Sequence, residues 1–293
     1  MALFSQRQGL KPLQKAIQRE SMDTELRNGL WNALKLVVWD HYRGGGSGYG
    51  GFVSAEDQKV LAIVRIIWMD LFKATLDTMP DFYSHTQTSA YEMLREYFFK
   101  CKWAECYDFI ELVGKSLPDE WGEHFRIVTN DTLETENAAY RFVGNEIVEI
   151  TDAQEIEAIE SALALPSEAP RHHLETSLKL LSDRQHPDYR NSIKESISAV
   201  EAVCRLAVGS PKSTLGDCLK ILAKSRPMHP AFEQALGKLY GFTSDEGGIR
   251  HSLTDPGSAP SYADSKFMLV VCSAFANYIW TRASEENLRI SNP

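Results

Sequence analysis

Apolar residues recur three and four positions apart along almost the whole chain, and only one short stretch alternates with the period of two that a β-strand needs. A chain patterned this way buries its apolar stripes by packing helix against helix, so an all-α fold is expected. From Ser21 to Tyr42 the stripe is Leu26, Leu30, Leu34, Val37 and Val38, with N-cap candidates in Ser21-Met22-Asp23-Thr24. The run Arg43-Gly44-Gly45-Gly46-Ser47-Gly48-Tyr49-Gly50-Gly51 ends it, because so many glycines cost too much backbone entropy for regular structure. A long helix is expected next, over about 55–79, apolar nearly all round between Val60 and Leu71 and therefore central to its domain. Further helices fit about 86–99, 103–116 and 119–136. The exception follows: Ala139-Tyr140-Arg141-Phe142-Val143 and Glu146-Ile147-Val148-Glu149-Ile150 alternate around Gly144-Asn145 and predict a two-residue β-hairpin.

A length of 293 residues exceeds one ordinary compact domain, so two are expected. A short helix at about 152–164 ends at Leu165-Pro166, and Ser167-Glu168-Ala169-Pro170 carries the strongest boundary signal. The domains are therefore read as 1–166 and 167–293. Beyond the boundary, helices are expected at about 168–184, 188–208, 214–225, 230–241 and 262–283. The second of these carries Ile193, Ile197, Val200 and Cys204 in a core stripe, and the last is expected to turn Phe267, Val270, Val271, Ala274, Phe275 and Tyr278 inward. Such helices joined by short loops predict an antiparallel bundle.

The net charge of −9 and pI of about 5.4 argue against a broad nucleic-acid surface, since phosphate neutralisation needs clustered Lys and Arg. A small local pocket for RNA stays open. Cys101, Cys106, Cys204, Cys218 and Cys272 form no C-x-x-C pair, and no histidine stands at zinc-finger spacing. Reduced, buried thiols in a cytoplasmic protein are the expectation, with no metal and no cofactor implied by any motif. MALFSQRQGL lacks the apolar core of a signal peptide, and no run of 18 apolar residues offers a membrane span.

Two stretches resemble a known family. Phe4-Ser5-Gln6-Arg7, Glu25-Leu26-Arg27-Asn28-Gly29-Leu30-Trp31 and the hairpin text through Ile147-Val148-Glu149-Ile150-Thr151 resemble the AbiJ N-terminal domain of type four. Tyr189-Arg190-Asn191-Ser192-Ile193-Lys194-Glu195-Ser196-Ile197-Ser198-Ala199-Val200-Glu201 and Ser244-Asp245-Glu246-Gly247-Gly248-Ile249-Arg250-His251 resemble the HEPN-like half of the same proteins. The resemblance implies bacterial anti-phage defence by abortive infection. It further implies a helical bundle that cleaves RNA without metal, as a homodimer with the site at the helix interface. The usual HEPN signature sets a histidine several residues after an arginine. Here Thr254, Asp255 and Pro256 stand at that distance from Arg250, and His251 is adjacent to it.

Metal-independent RNA cleavage needs a base for the 2′-hydroxyl, an acid for the leaving oxygen and a cation for the crowded phosphate. His251 supplies the first two chemistries and Arg250 the third, with Glu246 or Asp245 to orient the imidazole. The plainer alternative is that Asp245 and Glu246 favour a helix N-terminus, with Arg250 closing an ion pair four residues on. Arg190 and Asn191, with Glu195 one turn further, are a second, RNA-contacting candidate group, against the alternative of a solvated helix face. Asp40, His41, Tyr42 and Arg43 at the edge of the glycine run are a weaker ligand-binding candidate. His172 and His173 have poor company for a metal, and His229 between prolines reads as a turn residue. Two further readings compete with the ribonuclease: a non-catalytic bundle that binds RNA, a nucleotide or a protein through a degenerate HEPN site, and a neutralising partner of a basic protein. Expected partners are a second copy of the chain, RNA, and a protein or phage-derived trigger, with no membrane.

Overall fold

The computed structural model describes residue 4 and residues 15–44, 54–84, 88–183, 185–225, 229–244 and 259–285. Among these, eleven α-helices and one two-stranded hairpin make up the regular structure, and the all-α expectation holds. The chain divides into two compact units, residues 1–151 and 152–293.

The first unit contains α1 (Thr24–Val37), fixed by Asp23, whose Oδ1 accepts the Leu26 N–H at 2.8 Å. It buries Leu26, Leu30, Trp31, Ala33, Leu34 and Val37, which is the stripe read from the sequence. Each large apolar side chain buried this way contributes about 1.5–3 kcal/mol. Next comes α2 (Ala55–Ile66), capped by Ser54, whose Oγ accepts the Asp57 N–H at 3.0 Å. It passes into one widened turn, Ile67–Leu71, and stops there rather than running on to residue 79. The stop has a backbone cause. Lys73 takes a left-handed φ of 53°, the Phe72 N–H donates to the Ile67 carbonyl and the Ala74 N–H to that of Trp68, both at 3.0 Å.

Ser89 and Glu92 form a capping box that starts α3 (Ala90–Lys100) four residues later than the periodicity suggests. Then follow α4 (Trp103–Ser116) and α5 (Asp119–Thr135). The expected hairpin is present as β1 (Arg141–Val143) and β2 (Glu146–Val148), antiparallel, with Arg141 opposite Val148 and Val143 opposite Glu146. Gly144 at its turn has a φ of 56°, the left-handed value that a tight hairpin turn demands. One aromatic-rich core, including Trp31, Trp39, Phe82, Phe98, Phe109, Phe125 and Phe142, holds these elements together.

The second unit contains α6 (Ala153–Leu163), α7 (Glu168–Ser182), α8 (Tyr189–Val208), α9 (Leu215–Ser225), α10 (Pro230–Ser244) and α11 (Tyr262–Glu285). α8 is the centre, in contact with α7, α9, α10 and α11. α7 and α8 run antiparallel, since His173 meets Glu195 while Ser177, one turn later, meets Ser192. Ile193, Ile197, Val200, Val203, Cys204 and Ala207 of α8 lie in the core with Leu215, Cys218, Leu219 and Leu222 of α9. The packed face of α11 differs from the one expected. Ser265, Met268, Leu269, Cys272, Phe275, Ala276 and Ile279 are buried, whereas Phe267 is 58% exposed and Ala274 is exposed. That helix is apolar on most sides, so its hydropathy marks no single inward face and packing decides. Among the described residues, no helix is long and apolar enough to cross a membrane.

Candidate functional site

Among the described residues of the second unit, a cluster of candidate side chains lies on α7 and α8. Asp188 caps α8: its Oδ1 accepts the Asn191 N–H at 3.1 Å, and its Oδ2 accepts from the Asn191 side-chain amide at 2.6 Å. The amide of Asn191 is thus tied to the helix start. Arg190 stands beside it in the first turn, partly exposed.

Below that turn a seam of hydroxyls joins the helices. Ser177 of α7, Ser192 and Ser196 of α8 and Ser265 of α11 are all buried. The Ser177 Oγ lies 2.7 Å from that of Ser196 and donates to the Ser192 carbonyl at 2.8 Å, while the Ser192 Oγ donates to the Ser177 carbonyl at 2.9 Å. The Ser265 hydroxyl bonds to Ser192 Oγ at 2.8 Å. Bonds of this kind fix the register of three helices, because a slip by one residue strands several buried polar groups.

One turn of α7 before Ser177, on the side of the seam away from the α8 start, His173 Nδ1 lies 2.6 Å from Glu195 Oε2. The side chains are 34% and 22% exposed, so the pair is held by its helices yet reachable from solvent. A carboxylate only accepts, so an ionised Glu195 requires the proton on Nδ1. In that tautomer Nε2 is left as the acceptor nitrogen of the ring. Arg171 fixes the start of α7, its Nε donating to the Leu163 carbonyl at 3.0 Å.

Glu195 therefore belongs with His173, a pairing 22 residues apart that spacing along one helix does not reveal. The sequence signal was limited to the residue types themselves. Arg190 and Asn191 lie on the same first turns of α8. Asp245, Glu246, Arg250 and His251 lie outside the described residues, as does most of the glycine run. His229 caps α10: its Nδ1 accepts the Ala231 N–H at 3.2 Å, as its turn reading anticipated.

In the first unit, the residues beside the glycine run have packing partners of their own. Asp40 pairs with Lys35, and the His41 ring stacks on Trp121 with centroids 4.1 Å apart. Tyr42 packs on Phe82 at 4.6 Å, and the Arg43 N–H donates to Asp57 Oδ1 at 2.6 Å. Burial raises the Tyr42 hydroxyl above its ordinary pKa, assisted by Asp57. Among the described residues, no group of three His, Cys, Asp or Glu side chains could hold a metal ion.

A family model described as AbiJ N-terminal domain 4 matches residues 2–165, which agrees with the resemblance of the N-terminal text and the hairpin. No curated protein and no solved structure matches the chain. The family match takes in α1 through α6, ends near Pro166, and spans more than half of the 293 residues. On that match, the chain belongs to the AbiJ N-terminal domain 4 family.

Proposed function

We propose that this protein acts in anti-phage abortive infection, with the second unit as a HEPN-type effector that cleaves RNA without metal in a homodimer. The family match over residues 2–165 carries the abortive-infection part. The effector part is supported by the helical bundle and by the chemistry of its residues. Arg250, His251, Glu246 and Asp245 supply a phosphate cation, an imidazole and carboxylates within seven positions. The His173–Glu195 couple adds an oriented imidazole on the packed part of the bundle. A homodimer brings two copies of each group together, which provides the separate base and acid that strand cleavage needs. Arg190, in the first turn of α8, is a cation suited to a phosphate.

A second reading has its own observation. Thr254, Asp255 and Pro256 occupy the distance from Arg250 at which the HEPN signature places a histidine. That departure favours a bundle which binds RNA, a nucleotide or a protein without cutting.

Growth and total-RNA integrity after induced expression, with and without phage, separate the two. The full chain is compared with Arg250→Ala and His251→Ala, and its assembly state is read by sedimentation. Arrest with fragmented RNA, lost in both variants of a dimeric protein, is the expected result. Intact RNA under every condition would move the assignment to the binding module.

A further inference from the structure

Two of the five cysteines sit where helix α3 gives way to α4. Cys101 is the C-cap of α3 and Cys106 lies in the first turns of α4. Cys101 and Lys102 are both extended, with ψ values of 163° and 161°, and the Lys102 N–H is held by Glu105 Oε2 at 2.6 Å. This short, capped break folds one sulfur onto the other. The two Sγ atoms are 3.3 Å apart, and both thiols address the Phe98 carbonyl, at 3.4 Å from Cys101 and 3.3 Å from Cys106.

The surroundings are unequal. Cys101 is partly exposed and Cys106 fully buried. From α1, Arg27 brings Nη1 to 3.7 Å from Cys101 Sγ. Glu105 and the Tyr97 hydroxyl are the other titratable groups acting on Cys101. Cys204, Cys218 and Cys272 are by contrast wholly buried.

We propose that Cys101 and Cys106 are a reversible oxidation site, closing to an intramolecular disulfide in which Cys101 reacts first and Cys106 resolves. The hydrogen bond from Cys106, then the Arg27 guanidinium, pull the Cys101 thiol down to about 7 against its partial burial. Cys106 is pushed up, first by its bond to Cys101 and then by burial. Cys272 is pushed up to about 12 by burial alone. At neutral pH Cys101 is therefore the nucleophile among them.

The oxidant is a hydroperoxide. The Cys101 thiolate attacks one peroxide oxygen, the O–O bond breaks, and hydroxide leaves a sulfenic acid behind. Cys106 then attacks that sulfur, the S–O bond breaks, and the Cys106 proton leaves with the departing hydroxide as water. Two thiols and one hydrogen peroxide become one disulfide and two waters. The sulfurs need to approach by only ~1.3 Å from their 3.3 Å separation to reach a bond of ~2.05 Å.

Hydrogen peroxide is added to the full-length protein, free thiols are alkylated, and peptides are mapped by mass. The expected product is a Cys101–Cys106 link, two hydrogens lighter and reversed by dithiothreitol. Cys106→Ser should leave a sulfenic acid on Cys101 that dimedone captures. Arg27→Gln should slow the reaction of Cys101 several-fold at neutral pH and shift its alkylation midpoint upward. The inference is overturned if both thiols remain alkylatable at peroxide levels that oxidise free glutathione in the same tube, or if the link joins other cysteines. The wild-type peptide map decides even if a variant does not fold.

Discussion

Gly29 of α1 offers a direct test of how closely the first unit is packed. A methyl group placed there would sit 2.5 Å from Thr132 Cγ2 of α5. That is about 1 Å inside an ordinary carbon–carbon contact of ~3.5–4.0 Å. Thr132 is not free to swing away, because its Oγ1 donates to the Val128 carbonyl at 3.0 Å and its branched side chain is stiff at χ1. Two effects oppose each other in Gly29→Ala. Alanine gains about 1 kcal/mol of helix propensity, and overpacking costs about 1–3 kcal/mol. The net expectation is a loss of about 1 kcal/mol. Thr132→Ser removes the clashing methyl and keeps the hydroxyl, so in that background Gly29→Ala should stabilise by about 0.5–1 kcal/mol. The double-mutant cycle then gives a coupling of about 2 kcal/mol. Tryptophan fluorescence during urea unfolding reads the right unit, since Trp31, Trp39, Trp68, Trp103 and Trp121 lie in the first and only Trp280 in the second. Equal effects of Gly29→Ala in both backgrounds, or stabilisation in the wild type, would refute the reasoning.

Ser192→Ala should destabilise the second unit by about 2 kcal/mol in urea melts, because it strands the buried hydroxyl of Ser265 and disturbs that of Ser177. A change under about 0.5 kcal/mol would mean that the seam does not set register. Glu195→Gln removes the charge from a partly exposed pair, so stability should move by less than about 1 kcal/mol. If the pair contributes acid–base chemistry, growth arrest should weaken in that variant and in His173→Gln while both stay folded by circular dichroism. Asp23 gives a pH prediction. Burial alone would raise its carboxyl, but the Leu26 N–H and then Lys15 outweigh it and hold it below the usual range. Its contribution is therefore complete above the unfolded pKa of about 3.9 and fades as pH falls through the lower folded value. Asp23→Ala should cost about 1 kcal/mol at pH 7, and that difference should shrink in acid melts below about pH 4.

What the sequence showed and what it hid have separate physical causes. The α1 stripe, the hairpin around Gly144-Asn145 and most helix limits follow from local periodicity and local capping, which act over a few residues. Periodicity carries α2 past its true end because apolar residues continue beyond Leu71, while the left-handed turn at Lys73 stops the helix. The inward face of α11 is not legible in the sequence because residues 267–280 are apolar at every position but Ser273 and Asn277. His173 with Glu195, and Cys101 with Cys106, are contacts across helix boundaries, and residue type alone does not announce such partners. For the residues of 245–251 the sequence supplies chemical types and a resemblance, and their placement lies outside the described residues.

The position of α6 raises a last question, because the family match ends at residue 165 while the compact division falls between 151 and 152. The reading of the domains as 1–166 and 167–293 follows the Pro166 signal. Packing follows apolar contact instead. α6 lies against α7 and α11, its Ile159 and Ala162 and the following Leu165 are buried, and Leu165 joins the core of the second unit. Polar bonds point the same way: Lys266 pairs with Glu155 at 2.6 Å, and the Asn277 amide donates to the Ala158 carbonyl at 2.9 Å. Removing α6 would expose the apolar surface that Ile159 and Leu165 cover, about 1.5–3 kcal/mol for each. Set against a typical domain stability of about 5–15 kcal/mol, that is a large fraction. A fragment of residues 152–293 should therefore unfold cooperatively, and one of residues 167–293 should be less stable by about 3 kcal/mol or more, or bind hydrophobic dyes as a loosened bundle. Equal urea midpoints for the two fragments would show that α6 adds nothing to this core, and would favour the boundary at Pro166.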